Sequence, residues 1–270
     1  MNLGLVIHAL RPEPRAFAAS FVKAAAAQGF VIVGDESTSR LVEKPLEVGR
    51  PEVMVAIGGD GTVLAASRQA LALDIPVLAF NLGTIGFLAE VEPADLERVL
   101  RALSVGELTE RSRMTIAAKL PGGRGETGIN DIVVEKIHSQ RLVSLTATID
   151  GEKFLTYRAD GLVVATTTGS TAYSFSAGGP LVDPMIDAVL LTPVAAHSLF
   201  GRTLVLNPES VIEVMVEADR PVRVSVDGLE SGVLAEGDLV EVRQGAKPAR
   251  FLSLDGGSFA ATVKRKFRLT

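Results

Sequence analysis

Apolar residues in the first part of the chain follow two patterns. Short unbroken apolar runs at 3–7, 30–33, 53–57 and 76–80 predict buried strands. Between them lie segments with helical spacing: an alanine-rich stretch at 12–28 closed by Gly29, a second at 62–73, and a third at about 93–103. Continuously apolar strands alternating with helices predict a mainly parallel sheet covered on both faces. Past about Gly106 the texture changes. Short β-rich runs follow at 114–120, 129–135, 143–149, 154–157, 162–166, 203–206, 211–216, 222–226 and 239–242, with turn residues between them. Asp150-Gly151 falls between two of these runs as a two-residue hairpin turn. The pattern therefore predicts an α/β N-terminal domain over 1–105, an all-β domain over 106–250, and a separate segment over 251–270 that carries the basic run Lys264-Arg265-Lys266.

Composition narrows the function classes. A chain of 270 residues is long enough for one large or two modest domains. Its net charge is −5 and its pI about 5.4, which argues against nucleic acid and anionic membranes as partners. Anionic nucleotides stay possible where arginines, backbone N–H groups, helix N-termini or a metal gather locally. With no cysteine, disulfides, thiolate catalysis and cysteine zinc sites are excluded. His8, His138 and His197 are far apart and show no metal spacing. The first ten residues lack a basic leader and read as a strand, and the longest uncharged stretch, 161–182, is too rich in Thr, Ser and Gly to span a membrane. A cytoplasmic enzyme is expected.

Two segments carry candidate chemistry. Gly58-Gly59-Asp60-Gly61-Thr62 joins an apolar strand to a helix, where open α/β sheets bind ligands. Glycines let a phosphate approach the backbone, and the helix start offers N–H donors, so Gly58, Gly59, Gly61 and Thr62 are candidate phosphate-binding residues for ATP. A carboxylate there suits a base or a cation holder; the alternative is a tight turn with Asp60 or Thr62 as helix cap. Walker A, dinucleotide G-x-G-x-x-G, protein-kinase and Gly-x-Ser-x-Gly motifs are absent. The second segment starts at Asp160-Gly161 and runs to Gly178-Gly179-Pro180. Its hydroxyls and Tyr173 suit a ribose and an adenine, or else form a Ser/Thr-rich loop with Tyr173 in the core.

Together these segments resemble the NAD kinase family over nearly the whole chain. The resemblance is carried by Gly58-Gly59-Asp60-Gly61-Thr62, by Asn81-Leu82-Gly83-Thr84-Ile85-Gly86-Phe87-Leu88, by Asn130-Asp131, and by Asp160-Gly161 through Gly178-Gly179-Pro180. The first motif is shared with diacylglycerol kinases and, more loosely, phosphofructokinases. Gly169-Ser170-Thr171-Ala172-Tyr173-Ser174 with the upstream Asn130-Asp131 is more specific. The resemblance implies an N-terminal α/β domain, a sandwich-like all-β C-terminal domain, a final segment packing back on the first, and an active site in the crevice between domains. It implies transfer of the γ-phosphate of ATP to the adenosine-ribose 2′-hydroxyl of NAD, giving NADP, with a divalent cation such as Mg²⁺ arriving on ATP and no fixed metal ligands.

Residue by residue, the resemblance makes Asp60 the proton acceptor with Gly61 beside it in the NAD site, and puts Phe87 near the adenine. Asn130 and Asp131 match a pair that holds the adenosine ribose; Asp131 is one methylene shorter than the Glu of many relatives. Arg141, Arg158 and Asp160 fall where the family contacts the dinucleotide, Asp160 toward the nicotinamide. Thr171, Ala172, Tyr173, Ser174, Phe175 and Ser176 match the adenine-side loop, and Ala195 a further contact. Asp227-Gly228 resembles a late turn, after which Leu229 replaces the usual Gln. A homo-oligomer, dimer or tetramer, is implied. Other readings are a lipid or sugar kinase with the same turn, a non-catalytic NAD sensor, and a structural protein that binds neither nucleotide.

Overall fold

The structure is a computed structural model and describes all residues except 84–85, 90, 139–140, 218–219, 255–256 and 270. The chain divides into two compact units, Met1–Ser112 with Ala249–Thr270, and Arg113–Pro248.

In the first unit, strands β1 (Asn2–Ile7), β2 (Val31–Val33), β3 (Val53–Gly58), β4 (Val77–Asn81), β5 (Thr109–Arg113) and β18 (Ala249–Ser253) form one sheet in the order β2-β1-β3-β4-β18-β5. β1 pairs parallel with β2 and β3, and β4 pairs parallel with β3 and β18. β3 and β4 are buried at every position, as their unbroken apolar runs require. Helix α1 (Pro12–Ala27) begins on proline, buries Pro14, Ala18, Phe21, Val22 and Ala25 along one stripe, and is followed by Gly29 at φ 84°. Its Phe21 meets Phe80 of β4 edge-on at 5.7 Å. A short helix α2 (Glu36–Leu41) is capped by Asp35, whose carboxylate accepts from the Thr38 N–H and is lowered to about pKa 2 chiefly by that bond. Helix α3 (Asp60–Leu73) follows β3, and α4 (Leu96–Val105) packs Val99, Leu100 and Leu103 into the same core. The chain then leaves for the second unit and returns as β18, inserted between β4 and β5, and α6 (Phe259–Phe267). The reversal of strand order lies between β1 and β3, where open α/β sheets leave a crevice at the carboxyl ends.

The second unit is two six-stranded antiparallel sheets. One contains β6 (Ile116–Lys119), β7 (Gly125–Gly128), β9 (Val143–Ile149), β10 (Glu152–Ala159), β14 (Ile212–Val216) and β17 (Leu239–Gln244), in the order β10-β9-β14-β17-β6-β7. The other contains β8 (Asp131–Lys136), β11 (Gly161–Thr166), β12 (Val189–Val194), β13 (Leu204–Leu206), β15 (Val222–Val226) and β16 (Leu229–Leu234), in the order β13-β12-β11-β8-β15-β16. Alternate residues of both sheets, among them Ile116, Leu145, Ala147, Val214 and Val240 with Ile132, Val134, Leu162, Val164 and Val224, share one core. Asp150 and Gly151, at φ 52° and 82°, make the hairpin turn between β9 and β10.

β8 and β11 are buried on both faces. Val133, Val163, Ala165 and Leu190 form a second small cluster on the far side of that sheet, with Val182 packed against it. The polar segment, a 3-10 turn Thr168–Thr171 and a single helical turn α5 (Tyr173–Ser176), follows directly from β11.

Three elements depart from the apolar pattern. β12 holds Pro193 as its penultimate residue, paired with Leu162 beyond the stretch that pairs with β13, and proline ordinarily argues against a central strand. β16 is half exposed, and β18 is a five-residue strand, set off in sequence by Pro248 before it and Asp255-Gly256-Gly257 after it, that inserts between two earlier strands. Helix α3 starts two residues earlier than its apolar spacing suggests, and its cap is Gly59 rather than Asp60 or Thr62.

Candidate active site

In the first unit the site grows from the end of β3. Gly58 is the last strand residue, and a side chain there would run into Thr62 Oγ1 at 2.4 Å and lie 3.2 Å from His8 Cβ. Gly59 caps α3 with no side-chain bond of its own, and its carbonyl accepts the Thr62 and Val63 N–H groups at 2.9 and 3.1 Å. Asp60 opens the helix. Its Oδ2 accepts the Phe87 N–H at 3.0 Å and its Oδ1 the Leu88 N–H at 3.1 Å, and the carboxylate lies so close to Gly86 that a methyl there would sit 2.2 Å from Oδ1. The carboxylate is thus held at both oxygens by the loop after β4. Thr84 and Ile85 of that loop lie outside the described residues. The half-buried Phe87 ring packs between Phe259 and Phe267 of α6, at 6.3 and 6.4 Å, with Lys266 Nζ 5.2 Å from its centre.

In the second unit, Asn130, Asp131, Ala172 and Tyr173 line one cavity of about 490 Å³ together with Glu135, Arg223 and Asp227. The local wiring explains their convergence. Thr166, ending β11, donates its hydroxyl to Ile129 O at 2.6 Å and accepts the Gly169 N–H at 3.0 Å. Gly169 lies so near the Asn130 backbone that a methyl would stand 1.9 Å from its carbonyl oxygen. Asp227, in the β15–β16 turn at φ 47° with Gly228 at 76°, accepts the N–H groups of Ile129, Asn130 and Asp131 at 2.7–3.2 Å. It therefore fixes the strand entry on which Asn130 and Asp131 stand. Only the Asp-Gly pair signals this turn in the sequence. Its support of residues almost a hundred positions upstream arises in three dimensions.

The electrostatics of this cavity are uneven. Asp131 is 5% exposed. Burial first, then the Asp227 charge, push its pKa up to about 7 against a smaller opposing pull from the Tyr173 N–H. Asn130 Oδ1 is buried and has no hydrogen-bond partner among the described residues, an acceptor set for a ligand donor. Tyr173 is 37% exposed rather than in the core; its hydroxyl contacts Glu135 Oε2 at 3.3 Å, and burial, then the Glu135 charge, raise its pKa. Ser174 is buried against Thr192 at 2.8 Å, Thr171 donates to Thr168 O, and Phe175 and Ser176 are exposed.

Of the remaining candidates, Asp160 lies near Tyr173, whose pKa its charge helps to raise, while Arg141, Arg158 and Ala195 stand elsewhere on this unit. Asp160 pairs with Lys136 Nζ at 2.5 Å. Arg141 lines a second cavity of about 550 Å³ with Lys136, His138 and Arg220, a lining that is cationic among the described residues. Arg158, on β10, and Ala195, at φ 46°, are exposed and line neither cavity; the Arg158 carbonyl accepts the His197 N–H.

Two family models match the chain: ATP-NAD kinase N-terminal domain over residues 11–108 and ATP-NAD kinase C-terminal domain over 129–254. NAD kinase 2 of Streptomyces avermitilis is 40% identical over 223 residues, covering 81% of this chain and 74% of the relative. NAD kinase of Moorella thermoacetica is 39% identical over 226 residues, covering 82% and 73%. Among solved structures, yeast NADH kinase complexed with NADH superposes with a TM-score of 0.91 at 25% identity, over all of this chain and 88% of that one.

Proposed function

The chain belongs to the ATP-NAD kinase family, and from that premise we propose that Asp60 accepts the proton as the adenosine-ribose 2′-hydroxyl of NAD attacks the γ-phosphorus of ATP. An O–P bond forms, the β,γ-bridging P–O bond breaks, and NADP and ADP result. The observation that carries this is the hold on Asp60. Two backbone amides fix its carboxylate beside a glycine turn, using one acceptor position on each oxygen and leaving another on each for the incoming hydroxyl. Gly58, Gly59, Gly61 and Thr62 admit the donor phosphates to the start of α3. Asn130 and Asp131 hold the ribose: the orphaned Asn130 oxygen accepts from a hydroxyl, and Asp131, near half-protonated at neutral pH, both donates and accepts. Ala172 and Tyr173 flank the adenosine, with Thr171, Ser174, Phe175 and Ser176 shaping that loop and Phe87 contributing on the Asp60 side. Arg141, Arg158, Asp160 and Ala195 contact the rest of the dinucleotide, Arg141 from a cationic cavity suited to phosphates.

Among the described residues no group of three or more His, Cys, Asp or Glu side chains is placed to hold a metal ion. We propose that a divalent cation, Mg²⁺, arrives on ATP; when bound it would neutralise phosphate charge. We place the protein in the cytoplasm as a homo-oligomer, with NAD and ATP as ligands and no nucleic acid. None of the described helices is long and apolar enough to cross a membrane. The test is incubation of the full chain with ATP, Mg²⁺ and NAD, reading NADP with a dehydrogenase specific for it. Formation of NADP is expected; NAD binding without NADP would leave a sensor instead. A parallel reaction with NADH decides whether the reduced dinucleotide named for the yeast structure also serves.

A further inference from the structure

Arg11 has no part in the site described so far. It caps α1, just past the carboxyl end of β1. The order β2-β1-β3-β4 puts β3 between β1 and β4. Yet the Arg11 side chain reaches the loop after β4: its Nη1 lies 3.1 Å from where a Gly83 side chain would begin. That loop is tied to the glycine turn, since the neighbouring Leu82 N–H bonds Gly58 O at 3.0 Å. The guanidinium is thereby held at the loop that flanks the turn. Its ion pair with Glu13 is long, 3.6 Å, with side chains 47% and 64% exposed, and holds it weakly. His8 flanks the same turn, with a buried Nδ1 that has no partner among the described residues.

The chemistry of the turn calls for a cation. It has no lysine of its own, and Asp60 adds negative charge where a polyphosphate has to approach. A guanidinium offers paired donors matched to phosphate oxygens and stays charged at any working pH. We propose that Arg11 binds the terminal phosphates of the nucleoside triphosphate donor over the glycine turn. The proposal rests on the kinase reading only in taking ATP as the ligand.

Calorimetric titration of the full chain tests it, using a non-hydrolysable ATP analogue with Mg²⁺, adenosine, and NAD, on wild type, Arg11→Ala and Arg11→Lys. Losing a charge-assisted phosphate contact should weaken the analogue about ten- to a hundredfold. Adenosine and NAD should change less than about twofold, and Arg11→Lys should recover part of the loss. Arg11 is exposed, so the melting temperature should stay put. Unchanged analogue affinity in Arg11→Ala overturns the proposal, as does an equal loss for NAD or a wild type that takes no analogue. A wild type that binds the analogue but makes no NADP overturns the acceptor reading alone.

Discussion

At the scale of single residues, two carboxylates in similar company have different tasks. Asp60 is oriented by the Phe87 and Leu88 amides, so replacing it should cost rate rather than binding. Asp60→Asn keeps the shape and one of the two acceptor contacts, and is expected to lower kcat by about 10²–10⁴ with little change in the KM for NAD. Steady-state kinetics settle this, and a near-normal kcat would remove Asp60 from the chemistry. Asp131 is a stability group as well as a ligand group. Its folded pKa of about 7 stands above the ordinary 3.8, so between those values the native chain holds a proton that the unfolded chain has lost. The stability this contributes is full below the ordinary value and is lost as pH rises through about 7. Thermal melts from pH 5 to 8 should therefore slope downward more steeply in wild type than in Asp131→Asn; parallel slopes would contradict the assignment. Neither property is legible from one residue's neighbours in sequence. Asp131 reads as one half of a polar pair. Its titration comes from burial and from Asp227, almost a hundred positions away.

At the scale of elements, much of the fold follows from local pattern. α1, β3 and the Asp150-Gly151 hairpin each satisfy a rule that involves only adjacent residues: an apolar stripe with a glycine stop, an unbroken apolar run, and two left-handed turn positions. β12 and β18 are less plain. Pro193 stands beyond the stretch of β12 that pairs with β13, where only β11 adjoins the strand, and β18 alternates buried and half-buried positions between turn residues but takes its place from the slot it fills. The candidate site has the same division. The glycine turn and the hydroxyl-rich segment stand out as sequence, while the junction between β8 and the turn after β11 depends on a close approach at Gly169. Gly169→Ala would press a methyl into the Asn130 carbonyl, at 1.9 Å, and backbone must move to relieve it. Denaturant unfolding should show a loss on the order of 1–3 kcal/mol, and calorimetry a weaker NAD complex. Gly125→Ala, with nothing within 4 Å, is the control and should be close to neutral. Equal behaviour of the two variants would show that the junction is softer than its geometry suggests.

At the scale of the whole molecule, both edge strands of one sheet carry exposed apolar residues, among others scattered over the surface. Val205 on β13, and Leu229 and Val233 on β16, are each more than half exposed, at 55–56%. Edge strands of this kind invite pairing or cover, and a closed symmetric oligomer would supply it. Sedimentation at micromolar protein should give a dimer or larger, and charged substitutions at Val205 and Val233 should dissociate it; a fully active monomer would end the proposal. The place of β18 bears on how the chain is made. The first unit's sheet has a gap between β4 and β5 until residues 249–253 arrive, and the whole of Arg113–Pro248 is synthesised before them. On a ribosome adding about 5–20 residues per second, the earlier-made first unit waits, unfinished, for the seconds that Arg113–Pro248 takes to make, and the second unit's sheet gains its inner strand β17 only just before β18. The unit with the earlier start is the later to finish, and a nascent chain has no complete sheet on which to hold Asp60 until almost all of it has been read.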